Sequence, residues 1–401
     1  MDMDMEIRIL PRSPSSKQKQ TSIIFSGITI IFAIVFGAFV LNPIWKNTAI
    51  PGLFPPYLQP PITAPVDGLY YLQNADTGYK WETRDPLSLW FHPFLSFVLW
   101  LIPNYVSSNY QFWIVSICFS FCALPLAYHF AIIISGKNSL SPWLLPMCLF
   151  APGGLVISTG NAETPTLFFA TILVMSVLVW QKWWLTSLSA VGTILTKPNG
   201  LYLIPVLLIY FLISLKEGKA RLRNQALVGI FFLLITWISW IWFIDWRTGG
   251  HGVYWELRSQ EHYYLGIGGN IFYFFGSLVD ALTNTNIRDQ VRYITALVIP
   301  LTNFFVIGFV PMEKEEHRFA LAAGNLAMFA VSLYLGNPNK IIVYAVTLPS
   351  HFSTHMLMVS TLFDKMPKLN KKYIVVGLVY FLYCIATSVI FIVGTPLRWY
   401  H

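Results

Sequence analysis

Charge is what this sequence has least of: Asp, Glu, Lys and Arg make up 11% of its 401 residues, under half of the roughly 25% found in soluble domains. So few charges cannot coat an ordinary soluble fold. The apolar runs also lack the alternation that a closed β-barrel needs. Only four cysteines are present, Cys118, Cys122, Cys148 and Cys384, and all fall within apolar runs. Their positions match neither a disulfide framework nor a metal site, so they are expected as small core residues that do not report the redox compartment. A nucleic-acid partner is excluded by a different absence: no soluble domain interleaves the basic residues with aromatics, although the net charge is +8. The first apolar run, Ser22 to Leu41, ends at Asn42-Pro43 without a small-residue cleavage site and reads as a retained anchor.

What the sequence has in abundance is apolar surface, 55% hydrophobic and 16% aromatic residues. Runs approaching the roughly 20 residues needed to cross a bilayer can satisfy their backbone only as helices. The expected fold is therefore an all-α polytopic membrane protein. Eleven candidate spans lie at about 22–41, 110–135, 142–158, 165–180, 184–197, 199–215, 226–244, 291–310, 319–335, 341–361 and 373–395. The run 88–102 is too short to span and carries His92-Pro93, so it is placed as an interfacial helix in the first outer loop. The chain divides into an N-terminal tail, 1–21, a first transmembrane module, 22–215, with outer loop 42–109, and a second, 216–401, with outer loop 245–288.

Loop charge orients this arrangement. With the N-terminus inside, the inner segments hold 16 of the 26 basic residues and 8 acids, while the outer segments hold 10 of each. The whole basic excess thus falls on one side, as the positive-inside rule requires. Asp67, Asp76, Glu82, Arg84, Asp85, His92, Glu163, Lys197 and the loop 245–288 then share the outer face.

Four outer segments carry candidate chemistry. A proline-rich stretch from Pro43 to Pro65 stiffens the path to Asp67-Gly68, which is followed by Tyr70, Tyr71 and Tyr79. Such tyrosines suit either a sugar-stacking surface or a membrane-interface belt. Ser158 to Pro165 is a polar turn in which Glu163 either favours a helix N-terminus or faces a ligand. In Leu195-Thr196-Lys197-Pro198-Asn199-Gly200 a lysine breaks two short apolar runs; it either snorkels to water or binds a phosphate. The fourth segment, 245–288, is long for a connector. Its His251, Glu261 and His262 match no metal-ligand spacing, so no metal site is assigned.

Val66-Asp67-Gly68-Leu69-Tyr70-Tyr71-Leu72-Gln73-Asn74-Ala75-Asp76-Thr77-Gly78-Tyr79 resembles the Trp-Asp-x-x-x-Tyr-x-x-Ile-Ala-x-x-Gly-Tyr signature of the GPI mannosyltransferase II (PIG-V-like) family, within the GT-C glycosyltransferases. Glu82, Phe91-His92-Pro93, Asn161-Ala162-Glu163-Thr164 and Thr196-Lys197-Pro198-Asn199-Gly200-Leu201 are similar to further elements of that family, in the same order. The likeness covers roughly residues 22–215. Val66 stands where the family has tryptophan, Asn74 where it has isoleucine and Lys197 where it has arginine.

The resemblance implies a GT-C-like fold and transfer of a hexose, mannose above all, from a polyprenyl-phosphate-linked donor to a lipid or glycan acceptor on the outer face. It casts Asp67 as the catalytic acid-base residue. Lys197, with Arg84 or His92, would stabilise the leaving phosphate, Glu163 would orient the acceptor or a cation, and Tyr71 and Glu82 would line the substrate site. This chemistry requires no cofactor. A transporter or flippase of lipid-linked glycans, or a non-catalytic assembly subunit, is the alternative. The modest length and the lack of an Asn-x-Ser/Thr sequon in the outer loops point to a plasma membrane, with the endoplasmic reticulum as the other choice.

Overall fold

The computed structural model of the chain describes residues 15–36, 66–77, 92–102, 108–152, 154, 162–247, 271–283, 287–335, 346–365 and 371–398. Among these the regular elements are all helical. In chain order they are α1 (Ser16–Phe36), α2 (Val66–Thr77), α3 (Pro93–Leu101), α4 (Ser108–Ser135), α5 (Leu144–Met147), α6 (Glu163–Met175), α7 (Trp183–Thr196), α8 (Leu203–Lys216), α9 (Ala220–Arg247), α10 (Ile271–Thr283), α11 (Ile287–Phe309), α12 (Glu315–Leu335), α13 (Pro349–Lys365) and α14 (Lys371–Arg398). Five stretches among the described residues are long and apolar enough to cross a membrane: Ser16–Val35, Ile114–Ser135, Glu163–Trp180, Pro198–Lys216 and Ala220–Arg247.

The central packing unit is α6 to α9, with α4 against α6 and α12 against α8. Close approach of α6 and α7 depends on Gly192, where a Cβ would stand 2.6 Å from the Phe169 ring. A larger residue there would force the helices apart. Helix α7, of 14 residues, is about 21 Å long and so falls short of the ~30 Å hydrocarbon core. A 3₁₀ turn, Pro198–Tyr202, joins it to α8 and completes with α8 the 19-residue stretch Pro198–Lys216; both helices pack on α9.

Two ends of the bundle can be told apart. One gathers basic residues: Lys137 pairs with Asp364, the Glu313 amide donates to the Ile134 carbonyl at 2.9 Å, and Gln225 bonds the Gln181 carbonyl at 3.2 Å. The Glu217 carboxyl at this end is held below its usual range, first by a hydrogen bond from Lys219 and also by the charges of Lys314 and Lys216. Trp143, Trp183 and Trp184 are exposed here, and Trp100, Trp242 and Trp246 are exposed towards the other end. Such paired girdles are what a membrane's two interfaces select.

Three expectations change. Residues 142–158 do not form one continuous span. A four-residue α5 is followed by a 3₁₀ turn, Cys148–Phe150, and extended backbone at Ala151, with Pro152 next to break helical pairing. The run 341–361 gives a helix that starts at Pro349, a favoured first position, and ends at Lys365. It is buried over most of its length as far as Leu362 and rich in polar groups, with only its last turn exposed. His355 Nε2 donates to Asn303 Oδ1 at 3.2 Å, and its Nδ1 accepts from the Tyr380 hydroxyl at 2.6 Å. Asn325 in turn donates to the Pro300 carbonyl at 3.1 Å. The ring, fixed in one tautomer, thereby ties α11, α12, α13 and α14 together. Finally, Cys148 and Cys384 are buried as expected, but Cys118 and Cys122 are exposed on one face of α4, because positions four apart share a helix face. The run 88–102 contains a short helix, α3, with Leu95, Ser96 and Leu99 buried and Phe97 and Trp100 exposed.

Candidate functional site

At the less basic end, α3, α4, α6, α7, α9 and the 3₁₀ turn bring polar groups into an otherwise apolar setting. Glu163 is the first residue of α6 and is 3% exposed. Lys197 follows the last residue of α7 with extended backbone, φ −156° and ψ 146°. Pro198 dictates that conformation, since a residue before proline is driven out of the helical region. The Lys197 ammonium donates to Glu163 Oε1 in a charge-assisted hydrogen bond. Both helix dipoles support the pair: the carboxylate sits at an N-terminus and the ammonium at a C-terminus.

The surroundings hold these groups in place. Thr164 donates to the Ser116 carbonyl of α4 at 3.1 Å, which fixes the entry into α6. Thr196 and Thr193 hydrogen-bond back to the Gly192 and Ser189 carbonyls, so their hydroxyls are satisfied within α7. Gly200 lets the 3₁₀ turn fold onto α7; a Cβ there would stand 2.6 Å from Thr193 Cγ2. Asn199 is buried beside Lys197, and its amide nitrogen makes no hydrogen bond to any described residue.

His92 caps α3 without a side-chain capping bond and instead donates from Nδ1 to the Ile194 carbonyl of α7. A carbonyl only accepts, so this nitrogen carries the proton. Trp240 of α9 lies against the imidazole, 5.3 Å between ring centroids, and stacks on Phe243 at 5.4 Å. Trp240 is a site neighbour that sequence reasoning missed.

Of the other expected site residues, Asp67 belongs to α2 by its backbone, and its side chain lies outside the described residues. The helix itself is well anchored. Tyr71 and Leu72 form a cluster with Leu95, Leu99, Val115 and Ala162, the last of which immediately precedes Glu163. Tyr71, expected to line the substrate site, is 1% exposed and packs in that cluster. Glu82 and Arg84 lie outside the described residues, as does the segment 248–270. Among the described residues no group of three or more His, Cys, Asp and Glu is placed to hold a metal ion.

The chain shares its fold with an archaeal oligosaccharyltransferase. That protein is AglB from Archaeoglobus fulgidus, solved in complex with an inhibitory peptide and a dolichol-phosphate. The superposition has a TM-score of 0.51 at 12% identity and covers 95% of this chain. It covers 56% of AglB, so the chain spans little more than half the length of its neighbour. At that identity the likeness shows the fold alone. No family model and no curated sequence matches the chain, so the likeness to the GPI mannosyltransferase II signature rests on the quoted residues.

Glu163 opens one stretch long and apolar enough to cross a membrane, Glu163–Trp180, and Lys197 immediately precedes another, Pro198–Lys216. The pair thus stands where two candidate spans begin. A buried charge in such a position marks a candidate ligand path.

Proposed function

We propose that the chain is an integral-membrane glycosyltransferase that takes its sugar from a polyprenyl-phosphate donor. The observation that carries this reading is the Glu163–Lys197 pair, buried at a helix break where two stretches long and apolar enough to cross a membrane begin. A lipid-linked phosphate stands at the end of a membrane span, and a positioned cation there stabilises the charge that develops on the leaving phosphate. In this reading Glu163 holds the Lys197 ammonium before the donor arrives, and His92 and Asn199 offer further hydrogen-bonding groups beside it. The neighbour AglB was solved in complex with a dolichol-phosphate, and we extend that donor class to this chain. Asp67 is the general base that takes the proton of the acceptor hydroxyl. Mannose is the sugar that the Asp67 signature favours, and the acceptor is a lipid or glycan on the Glu163–Lys197 side.

The test is transfer from polyprenyl-phosphate mannose by the purified chain in liposomes. Lys197→Met should lower kcat by about 10²–10³, the usual loss when one transition-state stabiliser is removed, and Lys197→Arg should restore much of it. Asp67→Asn should abolish turnover. Undiminished transfer by Asp67→Asn would remove Asp67 from the mechanism, and glycan counterflow without bond cleavage would make the chain a transporter.

A further inference from the structure

The basic end holds a second polar site, unconnected with sugar transfer. A cavity of about 280 Å³ opens between the α4–α5 connection and the last turns of α13. Lys137 on its wall donates to Asp364 Oδ2 at 3.0 Å and to Ser360 Oγ at 3.3 Å. The side chains of Lys137 and Asp364 are 32% and 59% exposed, so each has room for another partner. Ser139 and Ser141 add two hydroxyls to the lining. Trp143, 62% exposed, stands at the rim.

This combination selects one class of ligand. An anion alone would meet the Asp364 carboxylate, and a cation alone would meet the Lys137 ammonium. A zwitterion with its two charges a short linker apart satisfies both. The carboxylate rewards a cation that can donate hydrogen bonds, which a primary ammonium does and a quaternary one does not. Phosphate oxygens would accept from Lys137 and the serine hydroxyls.

The shape supplies the rest. Leu144 and Met147 line this cavity and also an adjoining water-sized cleft of about 20 Å³, where Phe150, Met356 and Phe381 stand with the hydrogen-bonded His355 and Tyr380. That cleft is too small for an acyl chain, but on the bundle surface beside it Met147 and Phe150 are 38% and 47% exposed. A polar mouth at the Trp143 level next to an exposed apolar surface matches a lipid held at a membrane interface. We propose that this cavity binds a phospholipid with a phosphoethanolamine headgroup, its phosphate on Lys137, its ammonium on Asp364 and an acyl chain over the Met147–Phe150 surface.

Native mass spectrometry of the full chain in detergent, titrated separately with phosphatidylethanolamine, phosphatidylcholine, phosphatidylglycerol and free phosphoethanolamine, tests this directly. Phosphatidylethanolamine should bind at least several-fold better than the other lipids, and free phosphoethanolamine should not bind detectably. Lys137→Met and Asp364→Asn should each reduce phosphatidylethanolamine binding by about tenfold, the loss of one charge-assisted contact. Met147→Ser, which removes apolar contact area and leaves both charges intact, should reduce it as well. Equal or tighter binding of phosphatidylglycerol, unchanged binding in all three variants, or binding of free phosphoethanolamine alone would each overturn the proposal. Because the readout is lipid binding, it stands or falls independently of sugar transfer.

Discussion

Lys197 and Lys137 each hold a carboxylate, at opposite ends of one bundle, and their settings could hardly differ more. In the Lys197–Glu163 pair the side chains are 15% and 4% exposed; in the Lys137–Asp364 pair they are 32% and 59% exposed. Water screens the second pair, and exposed pairs of this kind contribute about 0–1 kcal/mol. The first has lost most of its hydration, and neither charge can be left without the other. Burial therefore converts the same chemical pair from an exchangeable surface contact into a fixed feature. The buried lysine is held in place before any ligand arrives, whereas the exposed one can share its bonds with whatever binds.

The largest expected effect comes from breaking the buried pair at one side. Glu163→Gln should destabilise the chain by about 3–5 kcal/mol, because it strands a buried ammonium, and thermal melting in detergent reads this directly. Replacing both partners, Glu163→Met with Lys197→Met, should recover most of that stability while transfer stays absent. A double variant as unstable as the single one would show that the pair's neighbours, not the pair itself, hold this end together.

Trp240→Leu should have an intermediate effect. It removes the ring that lies on His92, a contact of about 0.5–1.5 kcal/mol beyond simple burial, and should reduce transfer several-fold with a small drop in melting temperature. Lys137→Met marks the lower end of the scale. It should change stability by less than about 1 kcal/mol and leave transfer unaltered, with its consequence confined to lipid binding. A melting shift as large as that of Glu163→Gln would erase the contrast between the two pairs.

Local signals made parts of this legible in the sequence. Pro198 sets the end of α7 and the extended backbone of Lys197, and Glu163 before Thr164-Pro165 reads as a helix start; both are short-range effects. That Glu163 is the partner of Lys197, 34 residues away, depends on how α6 packs against α7, which no local pattern encodes. Trp240 was illegible for a related reason. It shares α9 with Trp242 and Trp246, which are 68% and 63% exposed, and a helix apolar on every side gives no sign of which tryptophan turns inward. The polar face of α13 was obscured in the same way: His355 is an unfavourable residue for a span until Asn303 and Tyr380 are seen beside it.

The shortness of α7 has a consequence for the lipid around it. A helix of about 21 Å presents less apolar length than the bilayer offers, and a membrane meeting such hydrophobic mismatch thins locally at modest cost. Thinning draws the nearest headgroups down towards Lys197 and the Pro198 turn. Bilayer thickness thus becomes a control on how readily a lipid-borne phosphate reaches this lysine, with short-chain membranes favouring the approach and long-chain membranes opposing it.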